Sequence, residues 1–504
     1  MNTPHADLQH RYHPVDATPD SARIPLAMRV LVSLLALGFA GCAVGPNYQR
    51  PSLDVPSSHR TAESSPATPA TDKSLADLGW WEAFKDKQLT AYLREALTNN
   101  WDMRIAAARV LQAEAIAGIT RSQFYPTLSA GGDVLTTRSS ETGPVRIPPG
   151  VNPQSEFGSV HVSMSAYEVD LWGKIRRANE AARARLLATV EAQNAVRQTL
   201  VSQVATAYLQ LLELDLELDI ARNTLTVRNK SLELTQAREQ GDVASMQDVY
   251  QSRILVSTAE ASIADIQLQR EQKENELNVL LGRNPGPLPR GDLLIDQETP
   301  TQVPAGLPST LLARRPDLRV AEQQLVAANA DIGQAKAAFY PQLTLTGFYG
   351  FQSVALSDLF TGASQTWQFG PALTMPLFTG GRLRSNLKLA QAQFEEATAQ
   401  YKQSVQQAFR DVSDGLIAYQ RTREFREKQE SRTQANREAA ALANVRYEGG
   451  VTSYLEVLYN EQELFNAELG LAKARRNEFL SIVQLYRALG GGWLDETPQT
   501  TTSP

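Results

Sequence analysis

Cysteine and histidine are the side chains best suited to covalent, metal and proton-transfer chemistry, and in this chain they are few and scattered. Among 504 residues there are one cysteine and five histidines. His5, His10 and His13 precede an apolar run, His59 lies in a polar connector, and His161 stands alone in an alternating stretch. No Cys/His metal cluster and no Cys–His catalytic pair can be assembled from them, so no metal or cofactor is expected and most enzyme readings are removed. The lone thiol has a different setting. Cys42 ends the run VLVSLLALGFAG, Val30 to Gly41, preceded by Arg23 and Arg29. Basic, then apolar, then small is the order of an export signal. About a dozen apolar residues are too few to span a bilayer as a helix, which takes ~20.

Ala40-Gly41-Cys42 resembles a bacterial lipobox, in which the cysteine becomes the lipidated first residue of the mature chain. Residues 1–41 are then a lipoprotein signal peptide, complete in itself from Met28, and 42–74 a lipid-anchored, extended segment rich in Pro, Ser, Thr and Ala. Composition agrees with a folded chain: 42% hydrophobic, 21% charged and a net charge of -6, with no basic footprint for nucleic acid.

The elements that follow are written twice. AEAIAGITRSQFYPTLSAGGD from Ala113 matches ANADIGQAKAAFYPQLTLTGFY from Ala328, and REQGDVASMQDVY from Arg238 matches RYEGGVTSYLEVLY from Arg446. Two long copies of one element order imply internal pseudo-symmetry. The first repeat, 75–282, reads as an amphipathic helical start at Leu75 to Leu97, then a helix from Trp101 to Phe124. Strands follow near Thr127 to Ser139 and Phe157 to Leu171, then helices from Lys174 to Ala237 and Ala244 to Leu281. A Pro/Gly linker, 283–308, separates it from the second repeat, 309–490, and 491–504 is a tail. The second repeat has helices from Pro316 to Phe339, Arg382 to Arg446 and Ser453 to Leu489, and strands from Gln342 to Ser353 and Thr366 to Phe378.

In each repeat one helix of roughly 64 residues would be ~95 Å long, matched by a helix of roughly 24 stacked on one of roughly 38. Leu200, Val204, Ala207, Leu211, Leu214, Leu218, Ala221 and Leu225 alternate in steps of four and three, as do Leu455, Leu458, Gln462, Phe465, Leu469 and Ala472. Such stripes specify side-by-side coiled-coil packing. The strands alternate apolar with polar or small, the pattern of a membrane barrel around water, and each is expected to exceed the ~9 to 11 residues of a tilted span. Phe124, Tyr125, Trp172, Phe339, Tyr340 and Phe378 fall where strand meets helix, as an interfacial aromatic girdle would. Pro126 and Pro341 open strands, and Gly173 and Gly380-Gly381 permit the change of direction. Ser140 to Glu156 and Val354 to Gln365 are the loops at the far end. Four strands cannot close in lipid, so the chain must oligomerise: two copies give eight strands around a filled lumen, three give twelve around a pore.

The FYP junctions, CAVGPNY from Cys42, RRPDLRVAEQQLVAANADIGQAKAAFYPQL from Arg314 and RYEGGVTSYLEVL closing near LGGGW together resemble the outer-membrane efflux proteins, TolC-like, over essentially the whole mature chain. The likeness is to the lipoprotein branch typified by OprM and NodT. It implies an α+β membrane protein: a homotrimer with a 12-stranded outer-membrane β-barrel, four strands per chain, continued by a long periplasmic α-helical barrel. It implies the passive exit duct of a tripartite pump for drugs, metals or other small molecules, with a periplasmic adaptor (membrane fusion) protein and an inner-membrane RND-type pump as partners. The alternative is the outer-membrane duct of a type I protein secretion system. It also implies a gate at the tips far from the barrel, which carried over by position would use Asp248 in the first copy and Leu455, Glu456 and Tyr459 in the second. Gly241, Gly449 and Gly450 are the expected gate turns.

Overall fold

The computed structural model describes residues 43–53, 55–56, 86–144, 146–297 and 310–491. Cys42 with its signal, most of the connector, the expected helix start at Leu75 and the C-terminal tail lie outside the described residues. The elements are α1 (Lys87–Asn99), α2 (Trp101–Ser122), β1 (Leu128–Arg138), β2 (Gln154–Val169), α3 (Lys174–Gln240), α4 (Met246–Leu280), α5 (Leu311–Arg314), α6 (Pro316–Ala337), β3 (Gln342–Ser353), β4 (Gln365–Thr374), α7 (Arg382–Glu448) and α8 (Tyr454–Ala488).

The duplication is exact in helix length. α2 and α6 have 22 residues each, α3 and α7 have 67, and α4 and α8 have 35. At 1.5 Å per residue the long helices reach ~100 Å, and each stacked pair ~86 Å. One side chain makes each stack. Asn100 accepts from the amides of Asp102 and Met103 at the start of α2, while its own amide donates to the Leu280 carbonyl at the end of α4, 2.9 Å away. In the second copy Arg315 precedes α6 and donates to the Ala488 carbonyl at the end of α8, 3.3 Å away. Helix ends otherwise expose unpaired backbone groups. Here two of them are closed against each other.

Laterally, α3 packs on α2 and α4 on one side and on α6 and α8 on the other, while α7 packs on α6 and α8. Among the described residues the outer faces of α2 and α7 have no neighbour, and they carry exposed Trp101, Ile105, Leu111, Ile116 and Ile119, and Leu389, Phe425, Leu442 and Val445. The expected α3 stripe is buried from Leu200 to Ala221, with Leu225 half-buried. Its spacing then continues into buried polar groups, Arg228 and Thr235. In α8, Leu458, Phe465 and Ala472 are buried but Leu455 is 64% exposed, which corrects its place in the stripe. Tyr454, Val457 and Leu458 fill the buried face of that first turn against Tyr447 and Ala443, and Leu455 points away.

The four strands form one antiparallel sheet in chain order, so β2 and β3, from different copies, are its central pair. Lengths are 11, 16, 12 and 10 residues. β4 and β1 therefore only just match the ~9 to 11 of a tilted span rather than exceeding it. The register puts Leu128, Ala130 and Val134 of β1 beside Met164, Val162 and Gly158 of β2, and Val160 and Val162 beside Phe351 and Tyr349 of β3, with Trp367 and Phe369 of β4 next. Ser129, Asp133, Ser159, His161, Ser163, Gln352 and Gln368 share the opposite face. One face is apolar and exposed in the single chain, the other mostly polar. Among the described residues no helix is long and apolar enough to cross a membrane. β1 and β4 are open edges.

The linker is not a bare spacer. Arg290 bonds Asp215 of α3 at 2.5 Å and Glu274 of α4 at 2.7 Å, Arg283 pairs with Glu95, and Leu288 and Leu294 are buried with α1 against α3. α5 is a short helical turn that the sequence reading did not anticipate.

Candidate functional site

Two places set what this architecture can do: the joint between sheet and helices, and the helix tips some 100 Å away by helix length. At the joint, Gly173 (φ 82) and Gly381 (φ 88) are the left-handed residues that start α3 and α7, with Gly380 (φ 57) beside Gly381. A side chain on any of them would be strained. Pro341 immediately precedes β3, whereas Pro126 stands two residues before β1. Trp172 stacks on Tyr340 with ring centroids 4.8 Å apart and donates to the Pro341 carbonyl at 2.7 Å, which links the two copies. The Phe124 carbonyl accepts from Tyr167. Phe339 is half-buried beside Tyr340, and Phe378 is 91% exposed. Among the described residues, Trp172 and Tyr340 make a stacked aromatic contact at this joint.

The start of the expected connector forms a strap that meets the same joint. Val44 donates to the Trp172 carbonyl, and a Cβ on Gly173 would lie 2.8 Å from Ala43. From there 43–53 runs down α6. Asn329 donates to the Pro46 carbonyl, Arg177 donates to the Asn47 side chain at 2.8 Å, and Arg50 forks onto Glu322. Burial and the Glu322 carboxylate push the Tyr48 phenol up to about 12, so it stays a neutral donor. Tyr48 and Leu53 pack against Leu318, Leu325, Tyr401 and Val405.

At the tips, α3 and α7 end in matching turns. The Val243 amide bonds the Arg238 carbonyl at 2.8 Å and the Val451 amide bonds the Arg446 carbonyl at 2.9 Å, the six-to-one bond of a Schellman stop. The left-handed residues are Asp242 (φ 54) and Gly450 (φ 72). Gly241 (φ -90) and Gly449 (φ -74) have ordinary conformations. Of the three expected turn glycines only Gly450 is conformationally required, because the stop places its left-handed residue one position later.

Asp248 and Glu456 occupy equivalent first-turn positions. Asp248 completes a capping box, accepting from the Ser245 amide at 3.1 Å and hydroxyl at 2.9 Å. Glu456 accepts from the Thr452 hydroxyl and pairs with Arg446 at 3.4 Å. Both carboxylates are therefore held by their own turns, which stabilises helix starts. Leu455 and Tyr459, 64% and 66% exposed, lie one turn apart on the open face of α8. The two tips are joined by residues the sequence reading passed over. Arg238 lies 4.6 Å over the Tyr447 ring, and Tyr454 accepts from Ser252 at 2.7 Å. Arg238 and Arg446 open the two matched segments, so their equivalence was visible before their partners were. Among the described residues no group of acidic, His or Cys side chains could hold a metal ion.

A family model described as outer membrane efflux protein matches residues 92–283 and 307–491. The chain is 37% identical over 480 residues to the toluene efflux pump outer membrane protein TtgF of Pseudomonas putida, covering 93% of this chain and 98% of that one. It is 36% identical over 481 residues to the outer membrane protein OprJ of Pseudomonas aeruginosa, covering 93% and 96%. Among solved structures, the open state of the MtrE outer membrane channel of Neisseria gonorrhoeae superposes with a TM-score of 0.80 at 31% identity, over 90% of this chain and 99% of that one.

Proposed function

This chain belongs to the outer membrane efflux protein family, and from that premise we propose how its parts make the exit duct of an efflux pump. It is a channel and not an enzyme. Three copies close the structure: β4 of one pairs with β1 of the next, giving twelve strands, and the apolar outer faces of α7 and α2 meet in the same way. An open strand edge is not tolerated in lipid, and three-fold closure of four strands leaves room for a water-filled lumen. The observation that carries this reading is that each strand pair runs into a long helix through left-handed glycine, Gly173 in the first copy and Gly380-Gly381 in the second. Barrel and helical tube then share one wall, and solute passes from one to the other without crossing a seam.

The tube is a passive duct, so energy and substrate come from an inner-membrane RND-type pump reached through a periplasmic adaptor. The relatives are named for efflux of small molecules such as toluene, which favours this over protein secretion. The tips hold the resting constriction. Under three-fold symmetry Leu455 and Tyr459 form an apolar ring that blocks by dewetting, with Glu456 and Asp248 as an acidic rim. In planar bilayers, the wild-type trimer is expected to conduct poorly, Leu455→Ala to raise conductance several-fold, and Glu456→Ala with Asp248→Ala to reduce cation preference. Unchanged conductance and selectivity in intact trimers of all these variants would place the constriction elsewhere.

Outer-membrane lipid holds the chain twice, through the barrel and through acylated Cys42. The strap supports this, because Ala43 docks at the joint where strands give way to helices. Mass spectrometry of the mature N-terminus should find Cys42 diacylated or triacylated, and an unmodified Cys42 would defeat the anchor. Since a barrel buries far more apolar area than acyl chains, Cys42→Ala behind a cleavable signal should still reach the outer membrane.

A further inference from the structure

Midway along the helical wall, α3, α4 and α8 converge around a cavity of about 330 Å³ that is charged rather than apolar. Glu213 and Glu217, one turn apart on α3, both face it with side chains 3% and 6% exposed. Across it on α8 stand Arg476, 2.7 Å from Glu213, and Lys473, 3.5 Å from Glu217. The match is incomplete. The Glu217 Oε1 atom is buried and meets α8 through the 3.5 Å pair with Lys473, itself more than half exposed. α4 contributes Lys273 and Glu276, which pair with each other at 2.5 Å, and Asp265 adds negative charge near Glu217. The neighbouring Asp215 is turned away to Arg270 and Arg290.

We propose that Glu213, with Glu217 one turn away, forms a proton-binding site in the seam between the α3–α4 hairpin and α8, and that the proton it holds sets how firmly that seam is closed. Burial first pushes the Glu213 carboxyl up, to about 7; Arg476 pulls it down and the Glu217 charge pushes it up again. Burial also raises Glu217. A carboxyl with a higher affinity for protons in the folded seam than in water contributes stability that is fully present below its ordinary range, near 4.5. That contribution is lost as pH rises through about 7. The seam is therefore tighter in mild acid and has lost this contribution above about pH 7, independently of the residues at the tips.

Amide hydrogen exchange on the purified full-length trimer between about pH 5 and about pH 8.5, corrected for the intrinsic rate, tests this. Protection of α3 and α8 around Glu213 and Arg476 should fall by up to about tenfold per pH unit as pH rises towards about 7, the limit for one linked proton, and level off above it. Glu213→Gln, permanently neutral, should flatten that dependence. Glu217→Gln should move it to lower pH by removing the adjacent charge. A flat wild-type profile, or the same slope in both variants, overturns the proposal. If Glu213→Gln does not assemble, infrared spectroscopy decides: the wild type should show a protonated carboxyl band that vanishes on going to alkaline pH and does so at lower pH in Glu217→Gln. Absence of that band would equally overturn it.

Discussion

Val162→Arg should abolish the assembled trimer, whereas Ser163→Arg, one residue on, should leave it folded and in the outer membrane. Val162 lies near the middle of β2, beside Ala130 of β1 and Tyr349 of β3, on the face that carries Val160, Met164, Trp367 and Phe369. In the single chain that face is exposed, Val162 by 49% and Trp367 by 65%, and only lipid suits it. An arginine at the bilayer midplane costs about 2 to 4 kcal/mol, and symmetry repeats it three times. Ser163 pairs with Ser129 and Phe348 on the other face, near the hydrogen bond from Ser159 to Asp133, where a charge meets water. Recovery of heat-resistant trimer from outer-membrane fractions checks both. If Val162→Arg assembles normally while Ser163→Arg does not, the two faces have been assigned the wrong way round.

Arg315→Ala should lower the thermal midpoint of the helical signal well below wild type, and by more than Asn100→Ala. The Arg315 side chain is 10% exposed, forks onto Asp317 at 3.0 and 2.7 Å, reaches Asp411 at 3.2 Å and donates to the last turn of α8. Removing one partner of a buried ion pair costs about 3 to 5 kcal/mol, and since Asp317 and Asp411 are partly solvated the low end applies, about 3 kcal/mol. Asn100 is a neutral cap with one extra bond, so its loss should cost about 1 to 2 kcal/mol. Scans at equal rate, followed by circular dichroism, give the order. An Arg315→Ala midpoint equal to wild type would mean that the stacked rods are held by apolar packing and not by this joint.

The duplication explains why so much was legible from residues alone. Two copies allow each signal to be read twice, and where FYP, Gly173 and Gly381, and the tip segments recur, the elements begin and end within a few residues of expectation. Long helices with narrow stripes and strands with strict alternation are local patterns, repeated over many residues and little altered by context. The functional class came instead from the motifs that carry the family resemblance, the FYP junctions, CAVGPNY and RYEGGVTSYLEVL.

What the residues left open was decided by partners far away in the chain. Leu455 belongs to the apolar stripe by spacing, yet Tyr454 and Val457 outcompete it for Tyr447 across the turn. Asp248 and Glu456 have the charge for a gate, but each is also bonded within its own turn, Asp248 to Ser245 in a capping box and Glu456 to Thr452, which charge and spacing do not distinguish. The strap at 43–53 has no period at all, because its hydrogen bonds go to Trp172, Arg177 and Asn329 instead of to itself. Glu213 and Glu217 read as ordinary charges on a helix until α4 and α8 close over them and bury both side chains. Periodicity reports that a face is buried. The chemistry of that face depends on which side chains arrive from 200 or more residues away, as Arg476 does for Glu213, and that is settled by tertiary packing.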